Sequence, residues 1–189
     1  MAISNVAIVN RALQKLGAER IESLTQDHPN ARSMNAAFEQ VRDAELRRYV
    51  WNFSIKRASI AADASDTLWG DWNRYSLPND FLRLIRDDET GHAPDWRIEG
   101  LYIVTQDAAP LEIRYVAKIT DPNFFDSLFV EALACKLAVE TCEEITQSTS
   151  KAQRVRGDYD FAIGEAKRIG AMEKDAQEFP EDSWLTARY

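Results

Sequence analysis

Histidine and cysteine are scarce in this chain: of 189 residues two are His (His28 and His92) and two are Cys (Cys135 and Cys142). A zinc site needs more ligands than these four scattered side chains offer, and no metal is expected. The cysteines stand seven residues apart, which on a helix separates them by about 10 Å along the axis, too far for a mutual disulfide. They read as small buried hydrophobes. A Ser-His-Asp or Cys-His constellation would have to use His28 or His92, and His28 sits at a helix entry, where capping is the better reading. Glycine is sparse too. The seven glycines form no G-x-G-x-x-G and no G-x-x-x-x-G-K, so no phosphate cradle is visible, and neither G-x-S-x-G nor H-E-x-x-H occurs. No cofactor is expected. No apolar run approaches the roughly 18 residues that span a bilayer, and the N-terminus has neither a basic leader nor an apolar signal core. The expectation is a protein that stays in the cytoplasm where it is made, with no membrane partner.

What is present is the material of a globular core. The chain is 45% hydrophobic, with five Trp, six Tyr and eight Phe, and its 29% charged fraction suits a solvated surface. Its length fits one domain or two small ones without disulfides or metals. A net charge of −8 argues against gripping a nucleic-acid backbone over a broad basic surface, since phosphate neutralisation needs clustered Lys and Arg. It leaves room for DNA passing nearby, because an acidic wall repels a duplex and keeps it from sticking.

Ser4 offers an oxygen to cap a helix, Val6, Val9, Leu13 and Leu16 follow at helical spacing, and Gly17 supplies a left-handed stop. A second helix is expected from Pro29, which fits the first helical position, with Asp27 or His28 as its cap. Ala31, Met34, Phe38, Val41 and Ala44 make one side of it apolar while Arg42, Asp43, Glu45 and Arg47 face elsewhere, and it is expected to pack on the first helix. From Trp51 the period changes: Trp51, Phe53 and Ile55 alternate with Asn52, Ser54 and Lys56, as in a half-buried strand. Residues 61–74 read as a surface loop carrying Trp69 and Trp72. A turn at Pro78-Asn-Asp80 precedes a strand at 81–85, and after a polar break residues 96–98 and 101–105 read as two strands turning over Glu99-Gly100. Leu111, Ile113, Tyr115 and Ala117 give the clearest alternation. The middle is thus expected to be a small antiparallel β-sheet or barrel of about five or six strands.

Helix is expected to return at Asp121-Pro122 and to run through Ser127 to Thr146, buried on two sides at the centre of a bundle. Residues 147–150 break it and cap a fourth helix, in which Ala152, Val155, Tyr159, Ala162, Ala166 and Ile169 keep a regular spacing. The expected class is α+β, with residues 1–50 and 119–173 as a four-helix bundle, 51–118 as an inserted β domain, and 174–189 as an extended C-terminal arm. Residues 173–182 hold five acids against Lys174, a share of −4 in the total of −8, and Trp184, Leu185 and Tyr189 follow. Large apolar groups on a chain end suggest a docking surface; the alternative is a tail folded onto its own bundle.

The wording Ile8-Val-Asn-Arg-Ala-Leu-Gln-Lys-Leu-Gly17, Pro29-Asn-Ala-Arg32, Val41-Arg-Asp43 and Trp51-Asn-Phe53 resembles the tail tubular protein A family of short-tailed phages, the head-to-tail adaptors or gatekeepers. Leu77-Pro-Asn-Asp-Phe-Leu-Arg-Leu84, Ile113-Arg-Tyr115, Thr120-Asp-Pro122 and Ser183-Trp-Leu-Thr186 extend the resemblance along the chain, while residues 61–74 and 87–95 match the family pattern poorly. The resemblance implies a structural virion protein, assembled in the host cytoplasm and residing in the tail. It also implies a dodecameric ring joining portal protein to tail nozzle protein, and a channel through which DNA passes without sequence-specific binding.

Within that frame Trp184, Leu185 and Tyr189 are candidate partner-binding residues. Trp69 and Trp72 are candidates for an interface rim, with packing against the sheet as an equal alternative. Two basic clusters, Arg42, Arg47, Arg48, Lys56 and Arg57, then Lys151, Arg154, Arg156, Lys167 and Arg168, could meet the acidic arm of a neighbour, solvated helix faces being the default. A rival reading is a peptidoglycan-degrading virion enzyme using a carboxylate pair, which needs only two acids about 5–10 Å apart. Asp87, Asp88 and Glu89, or Glu140, Glu143 and Glu144, are its candidates, against a default of solvated surface charge.

Overall fold

Local signals set both ends of the first helix in the computed structural model of the chain, which describes residues 3–63, 72–85 and 96–173. Ser4 Oγ accepts the Ala7 N–H at 3.1 Å to start α1 (Asn5–Leu16), and Gly17 ends it at φ +66°, a conformation that disfavours any side chain. The Asn10 amide then clamps the next segment, donating to Ile21 O and accepting from Ile21 N, both at 2.8 Å. For α2 (Pro29–Arg48) the cap is His28, whose Nδ1 accepts the Asn30 N–H at 3.2 Å.

Asp121 caps only a short 3-10 turn, Pro122–Phe124. The long helix α3 (Ser127–Thr146) has its own cap, Asp126, which accepts from the N–H groups of Leu128 and Phe129. Ser148 then opens α4 (Thr149–Met172). Helix α3 is the shared wall: α1, α2 and α4 all lie against it, and α1 touches α2 only sparingly. The expected contact of α2 with α1 is present but slight, and each packs chiefly on α3. Helix α3 is apolar around most of its circumference, so each neighbour buries more area against it than against another amphipathic helix.

A correction concerns α2. Arg42 and Glu45, expected to face outward, are only 2% and 3% exposed. One flank of α2 lies beneath strands β3 (Phe81–Ile85) and β6 (Leu111–Ala117), and the other reaches α4, so charged side chains there are covered and carry partners. Arg42 Nε donates to Asp43 at 2.8 Å, and Asp43 also meets Lys118 Nζ at 2.8 Å. Glu45 accepts from Tyr159 OH of α4 at 2.9 Å, with Arg48 Nη1 at 3.5 Å, and Arg48 donates to Tyr159 OH at 2.7 Å. Burial and the Glu45 carboxylate together raise the Tyr159 pKa, so its phenol stays protonated and donating.

Residues 52–54 are a 3-10 turn, not the start of a strand. Ser54 sends both its hydroxyl (2.9 Å) and its N–H (3.0 Å) back to Trp51 O, which satisfies the backbone locally. Trp51 and Phe53 turn toward the helices, with ring centroids 5.0 and 5.1 Å from Phe129. Strands β1 (Ile55–Ile60), β3 (Phe81–Ile85) and β6 (Leu111–Ala117) form one antiparallel sheet in the order β1-β6-β3. Strands β2 (Asn73–Ser76), β4 (Arg97–Glu99) and β5 (Tyr102–Thr105) form another in the order β2-β5-β4, joined to the first by a bridge from Ala62 to Tyr75. Among the described residues the architecture is therefore mixed α+β, four helices with two open three-stranded sheets, and the barrel alternative is not what forms. Ile119 packs against both the helical core and a smaller core built around Tyr75, Ile113 and Tyr115. No described helix is long and apolar enough to cross a membrane.

Tyr159→Phe is expected to destabilise the protein by about 1–3 kcal/mol, because it removes a donor from a buried carboxylate while leaving the ring volume in place. Urea unfolding followed by tryptophan fluorescence checks this; a change within about 0.3 kcal/mol would mean that Arg48 alone satisfies Glu45.

Candidate interaction surfaces

Of the five aromatic or apolar residues singled out from the sequence, Trp72 is described and half-buried, with the Arg97 guanidinium 4.6 Å from its ring centroid. That cation–π contact engages the Trp72 ring within the chain. Trp69, Trp184, Leu185 and Tyr189 lie outside the described residues, as do Asp87, Asp88, Glu89 and His92.

The basic clusters are largely engaged inside the chain. Lys151 Nζ donates to Leu16 O at 2.9 Å and Arg154 to Lys15 O at 2.6 Å, placing two cations on the carbonyl end of α1, where the helix dipole favours them. Arg47 donates to Leu82 O, Lys56 binds Asp80, Lys167 lies over the Tyr49 ring at 5.5 Å, and Arg168 pairs with Glu165. Apart from Arg168, whose partner is on the same helix, these side chains tie one element to another. Among the candidate carboxylates, Glu140 pairs with Lys136 and Glu144 accepts from Ser33 Oγ.

Three further polar knots occur. Asp80 accepts from Lys56 Nζ at 2.6 Å and Tyr115 OH at 2.9 Å. Burial pushes the Asp80 carboxyl up, but those two hydrogen bonds outweigh it and hold the group below its ordinary range, while burial and the Asp80 carboxylate push the Tyr115 phenol up to about 12. Asp107 gathers Trp96 Nε1 (2.8 Å) and Thr105 Oγ1 (3.0 Å) on its carboxylate and Tyr75 OH (2.8 Å) on its carbonyl, fastening the second sheet. Glu131 of α3 binds Arg11 and Lys15 of α1, and the Arg11 hydrogen bond is the chief reason its carboxyl is depressed. Burial raises the Cys135 thiol despite the nearby Lys15, which favours the neutral, inert form. In each knot the polar atoms are directed at one another and fasten elements together. Among the described residues no group of three or more His, Cys, Asp or Glu is arranged to hold a metal ion.

Exposed large apolar side chains form the other kind of surface. Phe124 (66% exposed) stands beside a pocket of about 270 Å³ between the Trp51–Phe53 corner and the end of α4, where Asn52 Nδ2 donates to Glu173 at 2.9 Å. This is where the described chain ends, at the root of residues 174–189. Phe161 (74% exposed) borders a groove of about 430 Å³ formed by Leu128 and Glu131 of α3, Asp158 and Glu165 of α4, and Lys15 of α1. Ile98 (51%) and Leu101 (76%) project from the β4–β5 hairpin. Sequence reasoning missed Phe161. The available signal was its helical phase, since it falls off the stripe of Val155, Tyr159, Ala162, Ala166 and Ile169.

Scans against known family models and curated proteins return no match to this chain.

The Asp80 knot carries a pH prediction. Its folded pKa lies below the unfolded carboxylate value of about 4, so the stabilisation is fully present above that value and is lost as pH falls through the lower, folded one. Asp80→Asn is expected to cost roughly 1 kcal/mol at pH 7, discounted for partial exposure, with the difference from the parent shrinking toward zero near pH 2. Urea titrations across pH 2–7 test this, and a difference that persists undiminished at low pH would contradict it.

Proposed function

We propose that this chain is a head-to-tail adaptor of a short-tailed phage or prophage, a shaped structural component that joins portal to tail nozzle, retains the packaged DNA and conducts it outward. The finer architecture belongs to the same proposal: the four helices act as one bundle carrying residues 51–118 as an inserted β domain, with 174–189 as an arm toward the portal. The observation that carries the reading is the distribution of exposed apolar side chains. Phe124, Phe161 and the Ile98–Leu101 pair occupy separate places on a scaffold whose polar knots fasten one element to the next. A structural part that meets several neighbours at once needs such a surface. The order of the resembling segments, from Ile8-Val-Asn to Ser183-Trp-Leu-Thr186, supplies the kind of assembly.

In a closed ring a modest contact repeats around the axis, and avidity converts it into a stable assembly; an acidic, aromatic arm that orders on the portal adds to this. The acidic balance suits a conduit, since a wall of negative potential keeps a duplex from adhering.

Mass photometry of the purified chain, alone and with the portal protein of its own phage, tests the reading. The expected result is monomer or weak oligomer alone and a ring of subunits on the portal. Deleting residues 174–189 is expected to abolish that capture while the thermal unfolding midpoint stays unchanged. Particles assembled without the polypeptide that still held their genomes and attached tails would refute the adaptor role.

A further inference from the structure

We propose that the tip of the β4–β5 hairpin of one copy of this chain docks into the α3–α4 groove of a second copy, as a head-to-tail contact. The proposal deepens the adaptor reading, on which its place in a ring rests; the two surfaces themselves are read from the chain alone.

The hairpin tip is a preformed ligand. Gly100 takes φ +62° at the turn, β5 is paired on both sides, and the Leu77 N–H donates to Leu101 O at 2.9 Å. Arg74 lies over the Tyr102 ring at 3.4 Å and Arg97 over Trp72. The tip therefore presents Ile98 and Leu101 to solvent, with Arg97 and Glu99 exposed on either side of Ile98, and the paired backbone leaves little entropy to be lost on docking.

The groove has the complementary character. Phe161 forms its exposed wall and Leu128 and Ala162 its apolar lining, with Asp158 and Glu165 on the rim. Lys15 and Arg168 are held by Glu131 and Glu165, whereas Asp158 has no ion-pair partner among the described residues, so the rim offers an anion to an incoming Arg97. Gly157 and Gly164 stand four residues before and three after Phe161. A Cβ at either would meet nothing within 4 Å, and neither needs a positive φ. Helix-interior glycine costs about 1 kcal/mol relative to alanine, and packing within the chain does not explain it. Bare backbone on both sides of Phe161 lets an incoming tip approach closely.

The main contacts of the described strands with the helices run through α2, whereas the groove is built from α3, α4 and the end of α1, and no hairpin residue lines it. Tip and groove are unlike patches, so their union is heterologous and repeats from copy to copy.

Disulfide trapping tests the contact with full-length protein. A Leu101→Cys copy is mixed with a Phe161→Cys copy at high concentration under an oxidant, with Gln153→Cys, also exposed on α4, replacing the groove cysteine as control; the native Cys135 and Cys142 are buried. The cross-linked heterodimer is expected at about fivefold or more over the control. Adding Arg97→Glu to the hairpin copy should lower the yield about fivefold, and Asp158→Arg in the groove copy should restore it. A yield equal to the control, or one indifferent to the charge reversal, overturns the proposal. If genome retention still depends on the protein while the pair fails to cross-link, the adaptor role stands and this contact falls; if the pair cross-links in a protein dispensable for assembly, the contact stands and the adaptor role falls.

Discussion

Helix α3 buries nine of its side chains, and three other helices lie against it. Burial on that scale is possible because the residues are small or apolar: Ala132, Ala134, Cys135, Ala138 and Cys142 keep the helix narrow, so neighbouring axes approach closely while Phe129, Leu133 and Leu137 fill between them. The one buried hydroxyl, Thr141, turns back to Leu137 O at 2.9 Å, so no polar group is stranded. Each outer helix then needs only one apolar face. That leaves one flank of α2 to carry the strands and an exposed flank of α4 to carry Phe161 beside the groove with α3.

Charge is used at the seams that this arrangement creates. Glu45, Arg48 and Tyr159 fasten α2 to α4; Glu131, Arg11 and Lys15 fasten α3 to α1; Lys151 and Arg154 close the end of α1 from α4. Partly buried pairs of this kind add little net stability beside a hydrophobic substitute, but removing one member strands the other. Their effect is to fix how the elements sit. A scaffold held in register this way presents its exposed apolar groups at defined positions, as recognition by shape requires.

The caps at Ser4 and Gly17, the entry to α2 at Asp27 or His28, the break at 147–150 and the alternation of Leu111–Ala117 were legible in the sequence because each depends on residues within a turn or a strand of itself; the structure then selects His28 and Ser148. Misreadings arose where a distant element decided the outcome. Alternation at residues 51–55 reads as strand, yet Ser54 hydrogen-bonds Trp51 and the aromatics pack on Phe129, far along the chain. Arg42 and Glu45 carry the charge of an outward face, and only the covering strands and α4 bury them. Of the candidate surfaces, the hairpin could be read locally from Glu99-Gly100, whereas the groove joins residues from Lys15 to Glu165 and has no contiguous signature. Trp72 shows the same limit, since it precedes β2 while its partner Arg97 lies on β4.

The proposed adaptor role carries a conflict: the groups that would join the chain to neighbours are apolar and must stay in water until the neighbours arrive. Exposed side chains such as Leu101 and Phe161 forgo roughly 1.5–3 kcal/mol each of burial, and solubility of the free chain then depends on keeping them apart and rimmed with charge. The β4–β5 tip carries Arg97, the α4 groove carries Asp158 and Glu165, and the two lie on different elements. Spacing of this kind favours contacts that form singly and weakly in solution. Closure changes the arithmetic, because the last subunit of a ring completes two contacts for one loss of translational freedom. Under the proposed adaptor role, weak self-association in isolation and firm association on a template would both follow from this one surface, whose exposed apolar groups are few, separated and held rigid by the fold beneath them.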